Sequence, residues 1–200
     1  GALEPAFLEY LKLEEGESVV FGINGAFSVR SASALPLIMQ IARRRFKYPH
    51  AKEAALVAER NDWWAQFEAL SALAQWKKEE AFPLLKNRVD EAPAVAGLMA
   101  SYLWKQSLPL IVRWSGLKDA ASDKAWEALR ASVPNEDLRA TRADMIKVLE
   151  DRKANRELRH QLALKTGQCS NEDEVKELLK KYDEEPDADT RLMLLAALYS

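Results

Sequence analysis

The chain has 200 residues, of which 48% are hydrophobic and 30% charged, and a formal net charge of -2. Seven glycines and eight prolines are few for a protein of many short strands, whose corners need both residue types, and 29 basic against 31 acidic residues excludes a strongly basic nucleic-acid footprint. Collagen-like, disulfide-scaffold and wholly disordered chains are excluded as well, which leaves a helical fold of one or two domains.

Residues 1–27 read as an N-terminal capping segment. Leu3, Phe7, Tyr10, Leu11 and Leu13 suggest a short amphipathic helix. Gly16, Gly22 and Gly25 give residues 16–27 the look of an irregular stretch, with Val19-Val20-Phe21 a small strand or buried linker. Gly22-Ile23-Asn24-Gly25 lacks the Lys and hydroxyl residue that a phosphate-binding loop needs next, and reads as a turn.

Residues 28–200 read as a repeat domain. Leu35-Pro36-Leu37, Phe82-Pro83-Leu84 and Leu108-Pro109-Leu110 share one pattern. Proline is tolerated in the first turn of a helix, so each marks a helix start followed by an apolar face. The second helices align on Gln66, Ala96, Arg159 and Arg191, at steps of 30, 63 and 32 residues. Ala125-Trp126-Glu127-Ala128-Leu129 fills the double step. The unit of roughly 31 residues is one pair of helices with short turns. A single pair cannot bury both its apolar stripes, whereas stacked pairs can. Asn171 or Ser170 is placed to cap one helix start, and Gly167 to end the helix before it.

At these residues the chain resembles the HEAT repeat family. Pro83, Leu84, Leu85 and Asp90 match the first half of that family's unit, and Val95, Ala100 and Leu103 the second. Asp151, Leu158, Arg159 and Ala163 match another unit, as do Asp183 or Asp187 with Arg191, Ala196 and Leu198. The resemblance implies an all-α superhelix, a solenoid of about five HEAT-like helix pairs. It also implies that Arg159 and Arg191 pair with turn aspartates such as Asp151 and Asp187.

The chemistry-bearing residues are sparse. His50 and His160 are the only histidines and Cys169 the only cysteine, too few for a zinc site. No Gly-x-Ser-x-Gly elbow occurs. No catalytic, cofactor or metal residue is expected. Arg43-Arg44-Arg45 with Lys47 is a basic run at a helix end, suited to the helix dipole or to an anionic partner. Charge is also patterned along the chain: residues 139–165 hold eight basic against four acidic side chains, and residues 171–189 nine acidic against three basic.

The expected function is a non-catalytic scaffold that presents a concave helical surface to a protein partner. Gln66, Lys105, Arg130, Arg156 and His160 face away from the apolar stripes and are the expected contacts. The alternative is a HEAT-like alkylpurine DNA glycosylase. Trp63-Trp64-Ala65-Gln66-Phe67-Glu68 resembles part of that family's motif, with Glu68 at the carboxylate position and Ala65 where the first acid should stand. A third reading is a regulatory segment of a larger protein. The apolar helix 190–199 suggests a homodimer contact if nothing caps it. No run reaches the ~18–20 apolar residues of a membrane span, and the single cysteine fits a reducing, cytoplasmic location. The chain does not open on Met, which leaves room for a leader or larger region upstream.

Overall fold

The computed structural model describes residues 2–13, 15–44, 57–76, 78–117 and 120–200. Among the described residues the secondary structure is entirely helical, and the chain divides into two compact units, Gly1–Leu98 and Met99–Ser200.

The first unit is built around α4 (Val57–Trp76), which packs against α2 (Gly16–Ser28), α3 (Leu35–Arg43) and α5 (Lys78–Arg88); α1 (Glu4–Tyr10) lies on α2. Residues 16–27, expected to be irregular, are a continuous helix, and the expected boundary at 27/28 falls inside it. The glycines mark closeness and not a break. A Cβ at Gly22 would lie 2.9 Å from the Leu11 amide nitrogen, and one at Gly25 would strike the Phe7 ring. Glycine lets α1 and α2 approach, and Val19, Val20, Ile23 and Ala26 bury the other face of α2.

Arg30 ends α2 in the left-handed region at φ 50°. The Ser31 amide donates to the Ala26 carbonyl at 2.9 Å and the Arg30 amide to the Phe27 carbonyl at 3.0 Å. This is the Schellman pattern, with arginine where glycine is usual. Pro36 sits in the first turn of α3, as its sequence context predicts.

The dividing point falls within α6 (Ala94–Tyr102). The second unit then runs in helix pairs. α7 (Trp104–Ser115) packs on α8 (Ala120–Arg130), α9 (Asn135–Ala140) and α10 (Arg142–Glu150) pack on α11 (Arg156–Cys169), and α12 (Glu172–Glu184) packs on α13 (Ala188–Leu198). α11 also touches α8 on one side and α13 on the other. Ile146, Leu149, Ala163, Leu178, Met193, Leu194 and Ala197 form one buried cluster across α10 to α13.

Three local expectations need correction. Pro83 and Pro109 lie inside α5 and α7, not at their starts. Both prolines are exposed, as are Glu79 and Lys105, whose carbonyls lose their usual amide partner to proline. Gly167 does not end α11, which continues to Cys169. Its missing side chain is needed instead where the helix meets the Ala197 carbonyl of α13.

Polar caps hold the pair ends as the sequence suggests. Asn171 accepts from the amides of Asp173 and Glu174 at 3.1 and 3.0 Å, and Glu174 Oε2 accepts from the Asn171 amide at 2.7 Å, a reciprocal capping box. Asn155 caps α11 and Asp187 caps α13 in the same sense.

Candidate functional site

The two charge-biased segments face each other. Arg142 donates to Ser170 Oγ at 3.1 Å, Glu177 Oε2 at 3.3 Å and the Glu174 carbonyl at 3.2 Å. Lys181 reaches Glu150 at 2.7 Å, and Arg152 reaches Glu185 at 3.0 Å. Arg159, 2% exposed, donates from Nε to the Leu149 carbonyl at 2.7 Å, from Nη1 to Asp189 Oδ2 at 2.7 Å, and from Nη2 to Thr190 Oγ1 at 2.8 Å. The basic stretch is therefore largely satisfied by the acidic one in the neighbouring helix pair, not held out toward an anion.

The expected aspartate partners differ. Arg159 pairs with Asp189, while Asp187 accepts from the amide and hydroxyl of Thr190, and Asp151 from the Lys153 amide. Those hydrogen bonds to Asp187, the amide bond first, hold its carboxyl below its ordinary 3.8. Arg191 lies over the Tyr182 ring, 4.7 Å from its centroid. The reason is positional: Asp189 stands on the first turn of α13, within the reach of a side chain rising from α11, whereas Asp187 is already committed to capping.

Where α11 meets α13 a groove of about 510 Å³ opens, lined by Asn155, Arg156, Glu157, His160, Leu192 and Met193. Arg156 and His160 stand one helical turn apart on α11. Arg156 Nε donates to Asp189 Oδ1 at 2.8 Å, so this carboxylate takes one arginine on each oxygen. His160 Nδ1 lies 4.0 Å from Glu157 Oε1. Leu192, 45% exposed, supplies an apolar wall. The groove thus sets an aspartate-paired arginine, an imidazole beside the Glu157 carboxylate and an apolar contact side by side.

The other expected contacts are elsewhere. Lys105 and Arg130 are exposed but do not line the groove; Arg130 lies 3.5 Å from Glu127 of its own helix. Gln66 is 2% exposed, which corrects its placement on a solvent face. Its Nε2 donates to the carbonyls of Ala42, at 3.2 Å, and Arg44, and Arg88 Nη2 donates to those of Arg43 and Arg44, both at 2.5 Å. Together they occupy carbonyls at the end of α3 that no helical amide can reach. α4 is covered on several sides, so a residue off its apolar stripe is still buried. Arg45, Lys47 and His50 lie outside the described residues.

The tryptophan pair is split. Trp63 stacks on Phe67 with ring centroids 5.3 Å apart, while Trp64 is 42% exposed and donates from Nε1 to Glu68 Oε1 at 3.1 Å. The hollow that Trp63 shares with Phe67, Leu70 and Arg88 has no space for a water molecule. Cys169 is 3% exposed, with its Sγ 3.4 Å from the Thr166 carbonyl, and burial pushes its thiol pKa up. Among the described residues no three His, Cys, Asp or Glu side chains gather as a metal site, and no helix is long and apolar enough to cross a membrane.

Asn155, Glu157, Leu192 and Met193 are the groove residues not expected from the sequence. Asn155 and Glu157 flank Arg156 in the sequence, and Leu192 and Met193 stand as two adjacent apolar residues near the start of α13. Comparison with protein-family models, curated proteins and solved structures found no match to this chain.

Proposed function

We propose that the chain is a non-catalytic protein-binding module, an α-solenoid of about five HEAT-like helix pairs that takes a protein segment into the groove between α11 and α13. The observation that carries this reading is the lining of that groove. It joins the side chains of Arg156 and His160, expected at contact positions, to an exposed leucine on the next helix pair. Charged and apolar groups on rigid neighbouring helices form a surface that can recognise an extended segment without rearranging. Four ion pairs, Glu150–Lys181, Arg152–Glu185, Arg156–Asp189 and Arg159–Asp189, join the α10–α11 pair to the α12–α13 pair across 30–33 residues, a distance that fits a unit of roughly 31 residues.

The test is selection of peptides from a display library on the whole chain, followed by affinity measurement on Arg156→Glu and Leu192→Asp. Selected peptides should carry apolar and acidic residues, and each substitution should weaken them at least tenfold. A library that yields no binder, or binders indifferent to both substitutions, would remove the groove as the recognition surface.

A further inference from the structure

Asp189 stands between a buried arginine and an exposed one. Arg159 is fixed from three sides, by the Leu149 carbonyl at Nε, by Asp189 Oδ2 at Nη1 and by Thr190 Oγ1 at Nη2. It holds the Asp189 carboxylate in place, and Oδ1 of that carboxylate accepts from Arg156 Nε at 2.8 Å. Among the described residues Nε is the one Arg156 donor with a hydrogen-bond partner, and the side chain lines the groove between α11 and α13. A guanidinium is planar and carries donors on more than one edge. A bond at Nε therefore sets the direction of the Nη1–Nη2 edge and leaves that edge open.

The charges beside that edge are balanced. Glu157, which also lines the groove, accepts from Gln161 Nε2 at 2.9 Å and lies 4.0 Å from His160 Nδ1. The carboxylates of Asp189 and Glu157 offset the guanidinium groups of Arg156 and Arg159. The site has directed donors and no surplus of positive charge, so it favours a ligand group that fits two N–H donors and carries one negative charge. A phosphate ester, with a charge of about -1.5 to -2 at pH 7, would meet repulsion from both acids.

We infer that Asp189 is the positioning residue of this groove, holding Arg156 so that its Nη1–Nη2 edge takes the side-chain carboxylate of an Asp or Glu in the bound segment, with an apolar neighbour of that acid resting on Leu192. Two parallel N–H···O bonds to one carboxylate add geometric selectivity as well as energy. Fixing the guanidinium beforehand removes part of the ordering cost that a free arginine side chain incurs on binding. Position is thus passed outward, from the buried Arg159 to Asp189, from Asp189 to Arg156, and from Arg156 to the ligand. The incoming acid displaces nothing, because Asp189 occupies a different donor. The inference rests on the groove reading of the proposed function and adds the chemical group that is recognised and the residue that orients its partner.

The test uses peptides selected on the whole chain and made with amidated C-termini, so that every carboxylate is a side chain. Each is made in three forms, with its acid kept, with the acid changed to Asn or Gln, and with the acid changed to phosphoserine. The acid form should bind at least tenfold more tightly than either other form. Arg156→Lys keeps the charge and loses the two-pronged edge, so it should cut the preference for acid over amide at least fivefold. Asp189→Asn separates positioning from charge by sign. Removal of a negative charge near the groove would, by field alone, strengthen binding of the acid form; loss of positioning should instead weaken it at least fivefold. Asp189→Asn also takes a partner from the buried Arg159, so its affinity is measured below its thermal midpoint with circular dichroism as the check on folding, and Arg156→Lys decides if that variant does not fold. The inference is overturned by peptides indifferent to the change from acid to amide, by a preference for phosphoserine, by an undiminished preference in Arg156→Lys, or by tighter acid binding in Asp189→Asn. Binders that need Arg156 and Leu192 but not their own acid overturn this inference and keep the groove reading, whereas a library without binders removes both.

Discussion

Nη1 of Arg159 donates to Oδ2 of Asp189 at 2.7 Å, across 30 residues of chain and from one helix pair to the next. The other oxygen of the same carboxylate takes Arg156, whose side chain is 70% exposed against 3% for Arg159. One acid thus makes two ion pairs that differ mainly in how much water surrounds the arginine.

That difference sets the energetics. Arg159→Ala removes a buried cation and leaves the Leu149 carbonyl and Thr190 hydroxyl without donors, so it should cost about 2–4 kcal/mol. Arg156→Ala breaks a screened pair and should cost under about 1 kcal/mol. Urea unfolding of the two variants measures both. Equal losses would show that burial does not separate the pairs.

Gly167→Ala should destabilise although alanine is the better helix former by roughly 1 kcal/mol. The new methyl would meet the Ala197 backbone carbonyl, which cannot swing away like a side chain. Gly25→Ala should be milder, because the Phe7 ring it meets belongs to a short helix near the chain end. Thermal midpoints should fall further for position 167, by an overpacking cost of about 1–3 kcal/mol.

Arg30→Gly should stabilise the first unit by about 0.5–1 kcal/mol, because glycine adopts the left-handed conformation without the steric cost arginine bears. Arg30 is exposed, so little packing is lost. An unchanged or lower denaturation midpoint would show that the side chain contributes more than its backbone strain costs.

Asp187 makes an acid-side contribution with a definite sign. Its carboxyl is held below its ordinary 3.8 by the Thr190 amide and hydroxyl, so the folded state prefers the ionised form. The stabilisation is present above that value and is lost as pH falls through the folded pKa. Asp187→Asn keeps an N-cap but cannot ionise. The gap between the unfolding midpoints of the two proteins should therefore narrow between neutral pH and about pH 3. A constant gap would mean that the cap bond, not the charge, carries the effect.

The helices and caps of the second unit were legible because their causes are local. Asn171 and Glu174 stand three residues apart and close a capping box wherever that helix forms. The charge bias of 139–165 against 171–189 also held real information, since Arg152, Arg156, Arg159 and Lys181 each meet an acid 30–33 residues further on or back. Gln66 shows where phase arguments stop. A wheel separates the apolar stripe from the rest of one helix, but it does not say how many neighbours that helix has. Among the described residues α4 packs against α2, α3 and α5, and Gln66 is buried where α4 meets the end of α3.

The sequence by itself determined the all-helical class, through sparse glycine and proline, apolar stripes of helical period, and capping residues three positions from their targets. Which aspartate Arg159 would take, why Gly22 and Gly25 sit inside a helix, and that Arg156, His160 and Leu192 would share a groove were decided only by the tertiary structure. Each depends on the separation of two helices remote in the chain. Helical spacing fixes the direction of a side chain within its own helix, whereas packing fixes what stands at the end of it.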